Sequence, residues 1–159
     1  MAPWLVARNG GDDSVSDTAE SNTVRLFLLA ILWFGLAGTL AELLLLAHYE
    51  EASQWIPIAL LTTTLLLSGV VAWRPSRGSI RLFQALMALM IVSGGVGMYL
   101  HVHANMEFQL EMDSTLKGFA LLRKSLVAKA PPALAPGVMT QLGLIGLAYT
   151  FRHPGLERT

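Results

Sequence analysis

The chain has 159 residues, of which 53% are hydrophobic and 14% charged, and its formal net charge at pH 7 is zero. A soluble domain carries about a quarter charged residues, so the composition argues against a water-soluble enzyme and for a membrane protein, and its neutrality offers nothing to a nucleic acid. Cysteine is absent, which excludes disulfides, thiolate metal sites, iron–sulfur clusters and cysteine nucleophiles from this chain.

Residues 1–24 are polar, with the run Gly10-Gly11-Asp12-Asp13-Ser14 and no sustained apolar period. They are expected to form a mobile tail, or one ordered by a partner. Asp12, Asp13, Asp17 and Glu20 precede the first apolar run, a pattern unlike that of a signal peptide. That run, residues 26–47, is interrupted only by Glu42 and at about 1.5 Å per residue reaches roughly 33 Å, enough to cross a hydrocarbon core. A second predicted span, 55–73, has a tryptophan at each end to suit the two interfaces and Pro57 in its first turn, where proline is tolerated. The short basic connection 74–81 leads into a third span, 82–101, rich in Met and Gly, so the second and third spans are expected to form a tight antiparallel pair.

Between residues 102 and 136 the chain is mixed in character. No breaker occurs before Ser114 or Gly118, so the third helix is expected to continue past the membrane through His103, Glu107 and Glu111. A second outer helix over 115–129 carries Leu116, Phe119, Ala120, Leu126 and Val127 on one broad side and turns Lys117 and Lys124 away, although Arg123 falls inside the apolar arc. Such a helix suits the membrane interface or the surface of another subunit. Pro131, Pro132 and Pro136 end it, and the last apolar run, 137–151, has only fifteen residues. The fourth crossing therefore starts nearer Ala133 or relies on Arg152 reaching to the interface, leaving 153–159 as a C-terminal tail. The expected fold is all-α: an integral membrane four-helix bundle with an extramembrane helical segment between its third and fourth spans.

Basic residues set the expected orientation. With four spans, Arg8, Arg25, Arg74, Arg77, Arg81, Arg152 and Arg158 share one side, and Lys117, Arg123, Lys124 and Lys129 the other. The first set is larger and closer to the membrane, which predicts both termini in the cytoplasm of a bacterial inner-membrane protein.

Candidate chemistry collects at the opposite, outer level. Glu42 falls roughly 25 Å and His48 roughly 35 Å along from Arg25, while His101 and His103 fall roughly 30 and 33 Å along from Arg81. His101 and His103 are two positions apart, about 200° around a helix, so they serve different faces. On one face, His101 shares its side with Gly94, Gly97 and Asn105, and with His48 of the first span it forms a candidate pair of axial haem ligands. The competing structural reading is an interfacial histidine whose ring bonds a backbone carbonyl or Glu42. On the other face, His103, Glu107 and Glu111 lie at i, i+4 and i+8, a candidate nitrogen and oxygen ligand set for a metal ion, without an HExxH or ExxH signature. Here the structural alternative is a solvated acidic helix, or one paired with the basic 117–129 segment.

Glu42 follows Gly35 and Gly38 on the first span, which predicts a protein-facing, buried carboxyl acting as a hydrogen-bond partner or proton carrier. The glycines at 94, 95, 97, 143 and 146, with Thr62-Thr63-Thr64 and Ser68-Gly69, suit close helix packing, and the methionines of the third span read as adaptable packing residues. No nucleotide loop, nucleophile elbow, kinase motif, dinucleotide fingerprint or inverted repeat is present. The leading expectation is a small, non-enzymatic membrane subunit in contact with lipid, packing within a larger complex or with itself. The alternative, from another class, is a metal- or haem-binding redox or oxygenase accessory protein using the outer histidines and glutamates.

Overall fold

A computed structural model describes residues 10–129 and 131–156. These residues form five α-helices, which we label α1 (Gly10–Leu45), α2 (Trp55–Trp73), α3 (Arg77–Met112), α4 (Gly118–Leu126) and α5 (Gly137–Thr150), with single 3-10 turns at Ala52–Gln54 and Pro154–Leu156. Three helical stretches are long and apolar enough to cross a membrane: Ala19–Leu45, Ala52–Trp73 and Arg77–Met112. At fourteen residues, α5 is shorter and reaches only about 21 Å.

The ends of the helices have local causes. Ser76 caps α3 through a reciprocal box in which Ser79 N–H donates to Ser76 Oγ at 3.1 Å and Ser76 N–H donates to Ser79 Oγ at 3.0 Å. α3 then runs unbroken to Met112, as the absence of a breaker predicts. α1 ends at Leu45, two residues short of the predicted boundary. His48 N–H returns to Leu43 O at 2.9 Å and Ala47 N–H to Leu44 O at 3.2 Å, with Ala47 left-handed at φ 52°. This is the bonding of a Schellman C-cap. Alanine occupies the position where glycine ordinarily marks such a stop, so hydropathy alone carries the sequence reading past it.

At its other end α1 begins at Gly10, so residues 10–24, expected as a tail, are helical and continuous with the first span; residues 1–9 of that tail lie outside the described residues. Asp, Ser and Thr lower helix propensity only modestly, and a helix already propagating through an apolar segment extends into them at no further nucleation cost.

Each of α1, α2, α3 and α5 touches two others in the cycle α1–α2–α3–α5–α1, and α4 packs on α3. Specific contacts fix the directions. Trp33 Nε1 donates to Ser68 Oγ at 2.8 Å between α1 and α2, and Thr64 Oγ1 approaches Met90 Sδ at 3.4 Å between α2 and α3. Between α3 and α5, Thr140 Oγ1 donates to Ile91 O at 3.2 Å and Gln84 Nε2 to Thr150 Oγ1 at 3.3 Å. Adjacent helices are therefore antiparallel, up-down-up-down.

Buried residues recur at alternating three- and four-residue steps: Ile80, Phe83, Met87, Met90 and Gly94 on α3, and Met139, Leu142, Gly146 and Tyr149 on α5. That spacing keeps one seam facing the neighbour and suits near-parallel packing of ridges into grooves. The methionines at 87 and 90 fill this seam.

The tightest contact is α3 against α5. A Cβ on Gly94 would lie 2.8 Å from Thr140 N and 2.9 Å from Pro136 O, and one on Gly143 would lie 2.7 Å from both Met87 O and Ile91 Cγ1. Gly97 and Gly146 are similarly filled by Pro136 and Met87. Without side chains at these positions the two backbones approach closely, the mode of association that lipid-embedded helices favour. By contrast, a Cβ at Gly38, Gly69 or Gly95 would meet nothing within 4 Å.

Most of each apolar helix faces away from the chain. Within the most apolar window of the three long helices only 17%, 28% and 17% of residues are buried, and Phe27, Phe34, Leu66, Leu82, Val92 and Leu144 are among the exposed large side chains. An apolar belt on this scale is consistent with a membrane protein.

Candidate functional site

The contacts just described also set heights. Stepping from Arg25 along α1 to Trp33, across to Ser68, along α2 to Thr64 and across to Met90 places His101 about 34 Å above Arg25, at roughly the level reached by His48. The two histidines nevertheless belong to diagonal positions: among the described residues no Cα of α1 comes within 8 Å of one of α3.

His101 turns toward the link that precedes α5. Its Nδ1 lies 3.0 Å from Pro132 O; because a carbonyl only accepts, Nδ1 carries the hydrogen and the lone pair of a neutral ring resides on Nε2. One turn further, the buried Asn105, 1% exposed, donates through Nδ2 to Ser125 O at 3.1 Å and to Pro131 O at 2.9 Å. These two side chains clasp the end of α4 and the proline-rich link onto α3. Ser125 O belongs to the last turn of α4, whose carbonyls lack partners within the helix. The sequence reading placed Asn105 on the His101 face without assigning it a role; an amide among glycines and apolar residues was its signal.

On the opposite face His103 Nδ1 and Glu107 Oε1 lie 3.5 Å apart, both exposed, and the His103 ring lies against Tyr99 at 5.9 Å between centroids. Glu111 is exposed one turn further along. Among the described residues, no three His, Asp or Glu side chains gather in an arrangement that could hold a metal ion. Exposed i, i+4 pairs contribute at most about 0.5 kcal/mol.

Glu42 differs from its expectation. It is exposed rather than buried, even though Gly35, two turns below, meets Leu142. Arg25 beside Arg152 and Gly35 beside Leu142 define one antiparallel register, and at a constant rise it carries Glu42 to about residue 135. α5 starts only at Gly137, so the neighbour that would bury Glu42 has ended.

Beyond the clasp, Asp113 closes α3. Its Oδ1 accepts from Thr115 Oγ1 at 2.6 Å and from Thr115 N–H at 3.1 Å, and Lys124 Nζ of α4 lies 3.8 Å from Oδ2. The hydroxyl bond first, then the backbone bond, hold the Asp113 carboxyl below the ordinary carboxylate range, with the Lys124 charge adding to them. A lowered folded-state value stabilises the turn above the pKa of a free aspartate, about 3.9, and this contribution is lost as pH falls through the lowered value. Acidification should therefore release the turn with a midpoint below the free value, seen as loss of protection of the Thr115 and Leu116 amides relative to their intrinsic exchange rates at the same pH. Asp113→Asn should remove that acid step.

The opposite end of the molecule holds a constellation that sequence reasoning counted only as charge. Arg25 donates from Nη2 to Phe151 O at 3.2 Å and to Arg152 O at 2.8 Å, supplying carbonyls at the end of α5 that have no helical partner. Arg152 is left-handed at φ 47°, and its guanidinium lies 5.3 Å from the Phe151 ring centroid. Pro154–Leu156 folds back onto the α2–α3 turn, with a Gly155 Cβ position 2.7 Å from Ile80 Cδ1 and 3.2 Å from Pro75 Cβ. Tyr149 is wedged edge-on between Phe83 and His153. An open crevice of about 440 Å³ lies between α1 and the end of α5, lined by Val24, Arg25, Leu28, Ala148, Phe151 and Arg152 among others. An arginine heading an apolar run is the one sequence signal that could have found this site.

No protein-family model matches the chain, and comparison with curated proteins and with solved structures returns no match.

Proposed function

We propose that the chain is a small, non-enzymatic integral membrane subunit or accessory protein that packs within a larger membrane complex or a homo-oligomer. In this reading α5 is a fourth crossing, with the bilayer thinned locally or Arg152 reaching to the headgroups to make up its length. Arg25, Arg74, Arg77, Arg81 and Arg152 then mark the cytoplasmic side, with both termini, of a bacterial inner membrane.

The observation that carries the assembly reading is apolar surface in the wrong solvent. Beyond the end of the third apolar run, Phe108, Met112, Phe119, Val127 and Leu134 are all exposed, Phe119 by 78% and Val127 by 70%. Inside the bilayer lipid covers such groups; along a segment that leaves the bilayer a partner is the natural cover. The open positions at Gly38 and Gly69 add further faces to which a neighbouring helix could come close.

Mass measurement of the protein extracted in mild detergent tests this reading. A particle heavier than one 17.2 kDa chain with its detergent is the expected result, and a sharply monomeric particle without partners would overturn it. His103→Ala and Glu107→Ala are expected to leave the assembled mass unchanged, because their pair is solvated. Loss of assembly in either variant would give that face a structural role.

A further inference from the structure

We propose that the crevice beside Arg25 and Arg152 is a binding site for the phosphate of an anionic phospholipid, held at the membrane boundary at the arginine-rich end of the bundle. The proposal rests on the membrane placement of the chain and is independent of whether the chain assembles with others.

Position comes first. Arg25 immediately precedes the apolar run that starts at Leu26, and its bonds to Phe151 O and Arg152 O put the end of α5 at the same level. The crevice therefore opens where hydrocarbon gives way to headgroups. Its composition follows that gradient: Leu28, Val24, Ala148 and Phe151 supply apolar wall, while Arg25 and Arg152 supply two guanidiniums. A phospholipid presents the same sequence of chemistry, acyl carbons below and a phosphate above.

Charge supports the assignment. Among the described residues neither guanidinium has a carboxylate within ion-pair distance. Among the described residues Glu20 is the one carboxylate that lines the crevice. Arg25 uses Nη2 on the two carbonyls, leaving its other N–H groups, and the Arg152 guanidinium lies over the Phe151 ring. A planar guanidinium suits phosphate oxygens because it can donate two parallel bonds. Arg152 takes a left-handed backbone (φ 47°) just past the end of α5. Here the turn directs the chain out of α5 while keeping the Arg152 side chain beside the crevice.

The test uses the full chain in mild detergent, titrated with phosphatidylglycerol or phosphatidylcholine and examined by native mass spectrometry. The intact protein should retain phosphatidylglycerol preferentially. Arg152→Gln, which leaves the Arg25 bonds to α5 in place, should weaken that retention about tenfold, the scale of one charge-assisted bond, with the unfolding midpoint unchanged. Arg77→Gln removes the same charge from the same end outside the crevice and should retain the lipid as the parent does. Equal retention of the two lipids, or equal loss in both variants, would overturn the site in favour of diffuse surface charge. Competition by inorganic phosphate at the same concentration would overturn the lipid as its source and leave a free-anion site. A monomeric particle that still discriminates between the lipids would defeat the assembly reading and leave this one standing.

Discussion

Replacing Gly143 with leucine is expected to cost about 3 kcal/mol or more of stability in detergent, read as a lower midpoint for unfolding followed by circular dichroism. A Cβ there would lie 2.7 Å from the Met87 carbonyl oxygen and equally close to Ile91 Cγ1, so both the α3 backbone and a packed side chain obstruct it. α5 can accommodate the new side chain only by backing away from α3, which would stretch the Thr140 to Ile91 hydrogen bond and open the Met87–Gly146 contact. Gly94→Leu should behave alike, since its obstruction is the Thr140 N and Pro136 O backbone. Gly95→Leu is the control: a Cβ there meets nothing within 4 Å, leucine is the better helix former, and the expected change is within about 0.5 kcal/mol. Equal losses at 94 and 95 would refute the packing of α5 on α3 described here.

The second large effect is expected at Asn105. Asn105→Ala removes the one amide that serves both Ser125 O and Pro131 O, leaving two carbonyls short of a donor at a buried position. The expected cost is about 2–3 kcal/mol, concentrated in α4 and the following link rather than in the long apolar helices. Hydrogen exchange should rise, and protease cleavage appear, between residues 118 and 132, while the main unfolding midpoint moves much less. Asn105→Asp should be worse, since it turns an additional oxygen toward two carbonyls. Unchanged protection of α4 in both variants would show that Leu121 and the other apolar contacts hold it without the clasp.

These two sites show where sequence reading ends. Gly94 and Gly95 are adjacent and chemically identical, and the pattern of small residues marks both as packing positions. One is enclosed by α5 and the other is open, because neighbouring positions on a helix point about 100° apart and only the placement of α5 chooses between them. Gly35 and Glu42 make the same point: helical phase aligns them, but α5 begins too late in the register to cover the carboxyl. His101 and Asn105 stand on the predicted common face, yet their partners are main-chain carbonyls twenty or more residues away, which carry no side-chain signature.

What the sequence by itself determined is local and thermodynamic. Stretches of apolar residues too long for anything but a bilayer or a buried core and prolines after α4 lie in the chain itself, as does the continuation of α3 through His103, Glu107 and Glu111 in the absence of a breaker. Tertiary structure decided the rest: which glycines bring backbones together, where α1 stops at an alanine in a glycine's place, that residues 10–24 extend that helix, and that Arg25 meets the end of α5. The physical reason is that hydropathy and capping energies depend on neighbours within a few residues, whereas close packing and hydrogen bonds to distant carbonyls depend on the relative rotation and height of whole helices.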